Sequence, residues 1–292
     1  VSRWLWDQLM PQVPLARVAW LRRFVYAFVV FDVLVNVTDP IPHGDVPADL
    51  YRPLVVRELL HLPAPTPLYV EALRVVVLVA ALVAMTGRAP RLAGWVCAFG
   101  MLDWVSNAFS YSKVDHDHFA LMVALFVLPT VGRASTAEVD VTSRAAGWAV
   151  RMIQAGAVSV YFLSALAKFR FGGWGWANGA TFVWAFSRRG NWLAQWMAGY
   201  PWLVHASQWA LLGLELASPL LMWLRGRFLA LGVGLFVGFH VMTLYLLHIH
   251  FLPLVVCLTA FAPLERISPW ATRRRERRAR PRAGSAAPSS GR

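Results

Sequence analysis

The chain has 292 residues, of which 58% are hydrophobic and 15% charged, with 15 Trp and 17 Phe, and its mean hydropathy is +0.51. A water-soluble domain carries charge on about a quarter of its residues. A soluble globular fold is therefore excluded, and the composition is that of an all-α, polytopic helical membrane protein. The net charge of +13 does not argue for nucleic acid, because the basic residues fall in short connections between apolar blocks and in the 266–282 segment, where positive charge sets membrane orientation. Cys97 and Cys257 each stand alone in an apolar block without CxxC spacing, so they are read as packing residues and not as a disulfide or a redox pair.

In chain order, Trp4, Trp6 and Leu9 alternate with Asp7 and Gln8, which reads as an interfacial lead-in and not a cleavable leader. Apolar length and Pro, Gly and charge boundaries then predict about eight spans, at 18–37, 67–86, 92–110, 118–132, 145–169, 203–223, 227–247 and 249–264. The fourth and eighth are short for a full crossing. Arginines gather at 17–23, 88–91, 133–144, 225–227 and 273–278, whereas the intervening loops carry Asp39, Asp45 and Asp49, then Asp115 and Asp117. The positive-inside rule therefore predicts a multi-pass cell-membrane protein with both termini cytoplasmic. Residues 1–265 form the expected transmembrane domain, and 266–292 a basic, disordered cytoplasmic tail suited to contact with membrane lipid.

Ionisable groups inside spans are costly and mark functional interiors. Asp32, Asp103 and His240 fall in the outer halves of their spans, Lys168 ends the fifth, and Tyr111, Lys113, Asp115, His116, Asp117 and His118 form the second outer connection. Their shared side of the membrane predicts one extracytoplasmic-side polar cavity. Of 28 basic residues only Lys113 and Lys168 are lysines, and a lysine, unlike an arginine, can give up its proton. Phe162, Leu163, Leu166 and Phe169 flank Lys168, which reads either as a desolvated base or as a snorkelling helix-end lysine. Lys113, beside Asp115, reads as an ordinary loop residue. His116 and His118 with their aspartates have ligand-type side chains, but residues two apart on a helix point away from one another, so no metal is expected. A histidine oriented by a carboxylate to accept a proton fits better. Glu215, deep in the sixth span, is read as structurally paired or as a proton relay. Glu71 and Arg74, one turn apart, are expected to satisfy each other.

Seven of the fifteen tryptophans lie between Trp174 and Trp209, with Trp192 and Trp196 one helical turn apart. This predicts an outer-face amphipathic segment along the membrane, in which Trp174, Trp176, Trp192 and Trp196 form a lid over the cavity.

The stretch 161–168, Tyr-Phe-Leu-Ser-Ala-Leu-Ala-Lys, followed by Gly173-Trp174 and by Trp176-Ala177-Asn178-Gly179, resembles the signature of the HTTM domain, the membrane part of vitamin K-dependent gamma-carboxylases. Tyr111-Ser112-Lys113-Val114-Asp115-His116 before a short span is similar to that family's second motif. In those enzymes, which are lyases, a lysine matching Lys168 deprotonates reduced vitamin K. Oxygenation of the hydroquinone then generates the base that takes a glutamate γ-proton for CO2 addition, and a histidine matching His116 belongs to the same centre. The resemblance implies a reduced quinone of menaquinone or vitamin K type as cofactor, with Lys168 and His116 catalytic. Asp32, Asp103, Tyr111, Asp115, Glu215 and His240 are the expected polar support. The family's large extracytoplasmic domain has no counterpart in this sequence, so quinol chemistry carries over more directly than glutamate carboxylation. The competing expectation is a non-catalytic binding or export-associated protein acting on a secreted peptide or protein, since shorter HTTM-like chains also resemble a factor for maturation of a secreted toxin.

Overall fold

The computed structural model describes residues 3–36, 40–111 and 114–268. Asp39, Lys113 and the basic tail from 269 onward lie outside the described residues. Helix dominates. A short α1 (Arg3–Leu9) leads into α2 (Leu15–Val35); α3 (Val55–Leu59) sits in the first long connection, and α4 (Pro67–Met85) and α5 (Pro90–Phe109) form an antiparallel pair. Then come α6 (His118–Val127), α7 (Arg144–Gly172), α8 (Ala180–Arg189), α9 (Trp192–Ala198), α10 (Pro201–Ala217), α11 (Gly226–Leu247) and α12 (Leu252–Leu258).

The boundaries have local causes. Thr66 caps α4 and Ser143 caps α7 through their side-chain oxygens, and prolines open α4, α5 and α10 at the position where a missing N–H is harmless. α7 runs to Gly172 and stops where Gly173 turns to φ 59°, one turn beyond the expected end, so Lys168 lies inside a helix and not at its terminus. Pro129 and Pro219 convert the ends of α6 and α10 into 3-10 turns, because a ring nitrogen cannot continue the α ladder.

Among the described residues, α4, α7 and α11 are long and apolar enough to cross a membrane. α2 carries Arg22, Arg23 and Asp32 within its length, and α5 carries Arg91 and Asp103. α6 has ten residues and α12 seven, about 15 and 10 Å of rise, well short of a hydrocarbon core of about 30 Å. The outward faces of α4 and α11 present Leu68, Val75, Val79 and Leu82, and Phe228, Leu231, Leu235 and Val241, all exposed. Such a continuous apolar face is expected against lipid and not against water.

The main core gathers α2, α4, α5, α6, α7 and α12 around Trp104, Tyr26, Met101, Leu121 and Ile153. The only strands among the described residues, β1 (Val13–Pro14) and β2 (Thr142–Ser143), pair antiparallel and tie the N-terminal segment to the start of α7. Gly147 makes this contact possible: a Cβ there would stand 1.7 Å from the Pro11 carbonyl oxygen. Arg151 donates to the Gln8 carbonyl at 3.0 Å and Arg144 meets Asp7 at 2.9 Å.

Candidate functional site

α5, α6 and α7 converge so that the C-terminal ends of α5 and α7 stand beside the N-terminus of α6. Between them lies a cavity of about 840 Å³, within the range that holds small ligands. Its walls are mostly apolar, with Leu102, Phe109, Phe119, Met122 and Leu163, and its polar groups include Ser106, Asp115, His116, His118, Ser159, Ser164 and Lys168. Val114, Phe119, Leu163 and Phe171 on the wall are also exposed outward, which gives the opening an apolar rim.

Lys168 reaches this cavity from α7 by way of an ion pair. Its Nζ donates to both carboxylate oxygens of Glu215 on α10, each at 2.6 Å, and to Ser164 Oγ, one helical turn back, at 2.9 Å. The Trp176 ring lies 5.3 Å from the ammonium. The Glu215 side chain is 7% exposed and that of Lys168 19%. This corrects the expectation of a lysine in purely apolar surroundings: two charges in one dry region satisfy each other, whereas each alone would carry a heavy desolvation penalty. Of the two readings of Glu215, pairing is what the geometry displays.

A second constellation lies behind His118. Its Nδ1 is 3.2 Å from Asp117 Oδ1 and its Nε2 3.2 Å from Asp32 Oδ2 on α2, and Asn36 donates to the other Asp32 oxygen at 2.5 Å. Whichever nitrogen carries the proton, carboxylates on both sides fix the ring. Asp32 is fully buried and touches the cavity only through His118. Sequence reasoning singled out His116 and not His118; the Asp115-His116-Asp117-His118 repeat signalled both but does not tell which histidine faces a distant Asp32.

Several expected cavity residues lie elsewhere. Asp103 is not on the wall: it is paired with Arg57 of α3 and accepts from the Tyr69 hydroxyl. Arg57 is itself fully buried, donating also to Tyr51, Ser106 Oγ and the Pro63 carbonyl. Burial works against its charge, but its hydrogen bond to the Tyr51 oxygen and the Asp103 carboxylate outweigh it and hold the guanidinium even higher. Arg57 was missed because its charged partner, Asp103, lies on α5, far off in sequence. Tyr111 stacks on His43 at 4.4 Å, away from the cavity, and burial pushes its phenol up. His240 stands behind Phe251, whose ring is 5.3 Å from it and 6.0 Å from that of His116; its Nε2 pairs with the Tyr161 hydroxyl at 2.6 Å. Of the four lid tryptophans only Trp176 lines the cavity. Trp174, Trp192 and Trp196 are exposed around α8 and α9, because those helices pack on α10 and α11 through Phe186, Ala194 and Val204 and leave their indoles outward. Glu71 and Arg74 pair at 3.1 Å on the exposed face of α4.

Compared with protein-family models, curated proteins and solved structures, the chain matches none.

Proposed function

We propose that the chain is an integral membrane protein of HTTM type, crossing the bilayer about eight times with both termini cytoplasmic, whose outer-leaflet cavity binds a reduced quinone. The observation that carries this reading is that Lys168 of α7 and His116 of the turn before α6 line one cavity with apolar walls and an apolar rim. The fit is chemical. Lys168, His116, Asp115, Ser106 and Ser164 supply donors and acceptors for the hydroxyls of an aromatic head, and Leu102, Phe109, Phe119, Met122 and Leu163 supply a dry wall for its ring and tail. A bound hydroquinone supplies acidic hydroxyls and two electrons for reaction with oxygen.

The chain's own contribution is to position groups and move a proton. Lys168 Nζ is held at the wall by Glu215 and Ser164, so its direction into the cavity is set before a ligand arrives. A proton passed from Nζ to a Glu215 oxygen leaves the pair with no net charge, so a neutral amine is reachable without burying an unpaired ion. The neutral amine would be placed to hold a proton from a hydroxyl bound in the cavity, and His116 would supply a hydrogen bond to that oxygen. The surrounding phenylalanines exclude water from the exchange. The exposed indoles of Trp174, Trp184, Trp192 and Trp196 suit an outer-face segment at headgroup depth.

The bidentate Lys168–Glu215 contact favours a second reading as well, in which the pair is structural and the cavity serves binding or export of a secreted partner without catalysis. Lys168→Arg separates the two. Arginine keeps a bidentate partner for Glu215 but cannot give up its proton. Quinol-dependent oxygen uptake by the purified protein is expected to be abolished in Lys168→Arg with membrane yield unchanged; full uptake in that variant would remove the catalytic reading. For topology, a cysteine placed at 114 should react with an impermeant thiol reagent in intact cells while cysteines in 133–144 should not.

A further inference from the structure

At the far end of α6 from Lys168 a second recess, about 380 Å³, opens between α2, the end of α4 and the 133–138 loop. Three arginines line it: Arg22, Arg23 and Arg133. Arg22 is only 2% exposed, yet its guanidinium is half used. Nη2 donates to the Leu128 carbonyl at 2.7 Å, whereas Nε and Nη1 are buried with no hydrogen-bond partner among the described residues. Buried guanidinium donors are ordinarily paired, and the acid that shares the recess, Glu138, is turned to its own loop, accepting from the Ser135 N–H at 2.6 Å. The recess is thus walled by a buried guanidinium whose donors are not all spent, beside the exposed Arg23 and Arg133.

Its surroundings extend in one direction. Arg133 also lines a neighbouring hollow with Arg91, Ala89 and Leu92, and Ala89 and Leu92 in turn line an apolar groove of about 410 Å³ between α4 and α5, walled by Val75, Val76, Val79 and Val96. Valines 75, 76 and 79 are among the outward, exposed residues of α4. A basic pocket, a basic shoulder and an apolar channel therefore follow one another along the α4–α5 pair.

We propose that this lane binds an anionic phospholipid, with the headgroup phosphate on Arg22, Arg23 and Arg133 and one acyl chain in the α4–α5 groove. Phosphate is the group that matches several converging guanidinium donors, and the apolar groove beyond them distinguishes a lipid from free phosphate. The site is independent of the quinol reading, since it lies at the other end of the bundle and shares no residue with that cavity.

Native mass spectrometry of the full chain in detergent, with phosphatidylglycerol, phosphatidylcholine and inorganic phosphate added in separate arms, tests it. Phosphatidylglycerol is expected to be retained in preference to phosphatidylcholine, with inorganic phosphate a weak competitor. Replacing the exposed pair, Arg23→Gln with Arg133→Gln, is expected to weaken retention by about tenfold or more; Arg22→Met is expected to do the same. Equal retention of the two lipids, or unchanged retention in Arg23→Gln/Arg133→Gln, would overturn the proposal. Inorganic phosphate bound without any preference for the anionic lipid would overturn it too, because the groove would then play no part. The double variant alters only exposed side chains, so it remains informative if Arg22→Met does not fold.

Discussion

The Lys168–Glu215 pair offers a quantitative test because it joins α7 to α10 through two opposite charges that are both largely buried. Glu215→Leu leaves the ammonium with Ser164 Oγ at 2.9 Å as its remaining partner, and Lys168→Met leaves a carboxylate that is 7% exposed. Removing one member of a buried pair costs about 3–5 kcal/mol, whereas replacing both by apolar side chains of similar volume is often close to neutral. The retained Ser164 contact places Glu215→Leu toward the lower end, about 3 kcal/mol. At about 2–4 °C per kcal/mol for a chain of this size, Glu215→Leu should unfold roughly 6–12 °C lower in detergent and Lys168→Met at least as far, and the double variant Lys168→Met/Glu215→Leu should recover most of that loss. The coupling should be at least about 2 kcal/mol. Single losses that simply add in the double variant, or singles that unfold within a degree or two of the parent, would refute the claim that this pair is dry and mutually dependent.

Arg57→Leu should destabilise by about 3 kcal/mol or more, since it leaves the Asp103 carboxylate without its counter-charge and removes the donor to Tyr51 and Pro63; Arg57→Lys should not restore stability, because one ammonium cannot reach all of those partners, and denaturant midpoints check both. Gly147→Ala should cost about 1–3 kcal/mol through collision with the Pro11 backbone, while Gly238→Ala on α11, where a Cβ meets nothing within 4 Å, should be neutral or stabilising by up to about 1 kcal/mol. Glu265 accepts from Arg17 at 2.7 Å through both oxygens; burial alone would raise its carboxyl, but the Arg17 hydrogen bonds prevail and hold it below the usual range. A group with a lowered folded value contributes stability above its unfolded value of about 4.3 and loses it as pH falls through the folded one. The melting-temperature gap between parent and Glu265→Gln should therefore be open at neutral pH, at about 1 kcal/mol or less, and close on acidification; a gap that widens at low pH would contradict the assignment.

Where a helix begins and ends was legible wherever Pro, Gly or a capping side chain punctuates the apolar blocks: 67–86 became Pro67–Met85 and 227–247 became Gly226–Leu247. At the fourth and eighth spans the α-helical part is shorter than the apolar run, ten residues in α6 and seven in α12, and each run continues as a 3-10 turn, to Val131 and to Phe261, which apolar length alone does not reveal. Within the site, Lys168 at the end of the fifth predicted span and Asp115 and His116 of the second outer connection line one cavity. Depth carries no information about which face of a helix a residue occupies when both faces are apolar. Asp103 turned to Arg57, His240 to Tyr161 and Asp32 to His118 for that reason. Opposite charges at membrane depth were visible at Lys168 and Glu215, but their pairing depends on the packing of α10 against α7, which is a tertiary fact.

The central claim, that the Lys168 and His116 cavity holds a quinone, is tested most directly by mass spectrometry of the lipids and quinones that copurify with the protein, comparing the parent with Ala167→Trp. Ala167 lines the cavity, and an indole there fills much of the space a quinone ring would occupy. A quinone retained by the parent and lost from an equally well folded Ala167→Trp is the expected result. A parent preparation free of quinone, or a quinone retained equally by both proteins, would contradict the account.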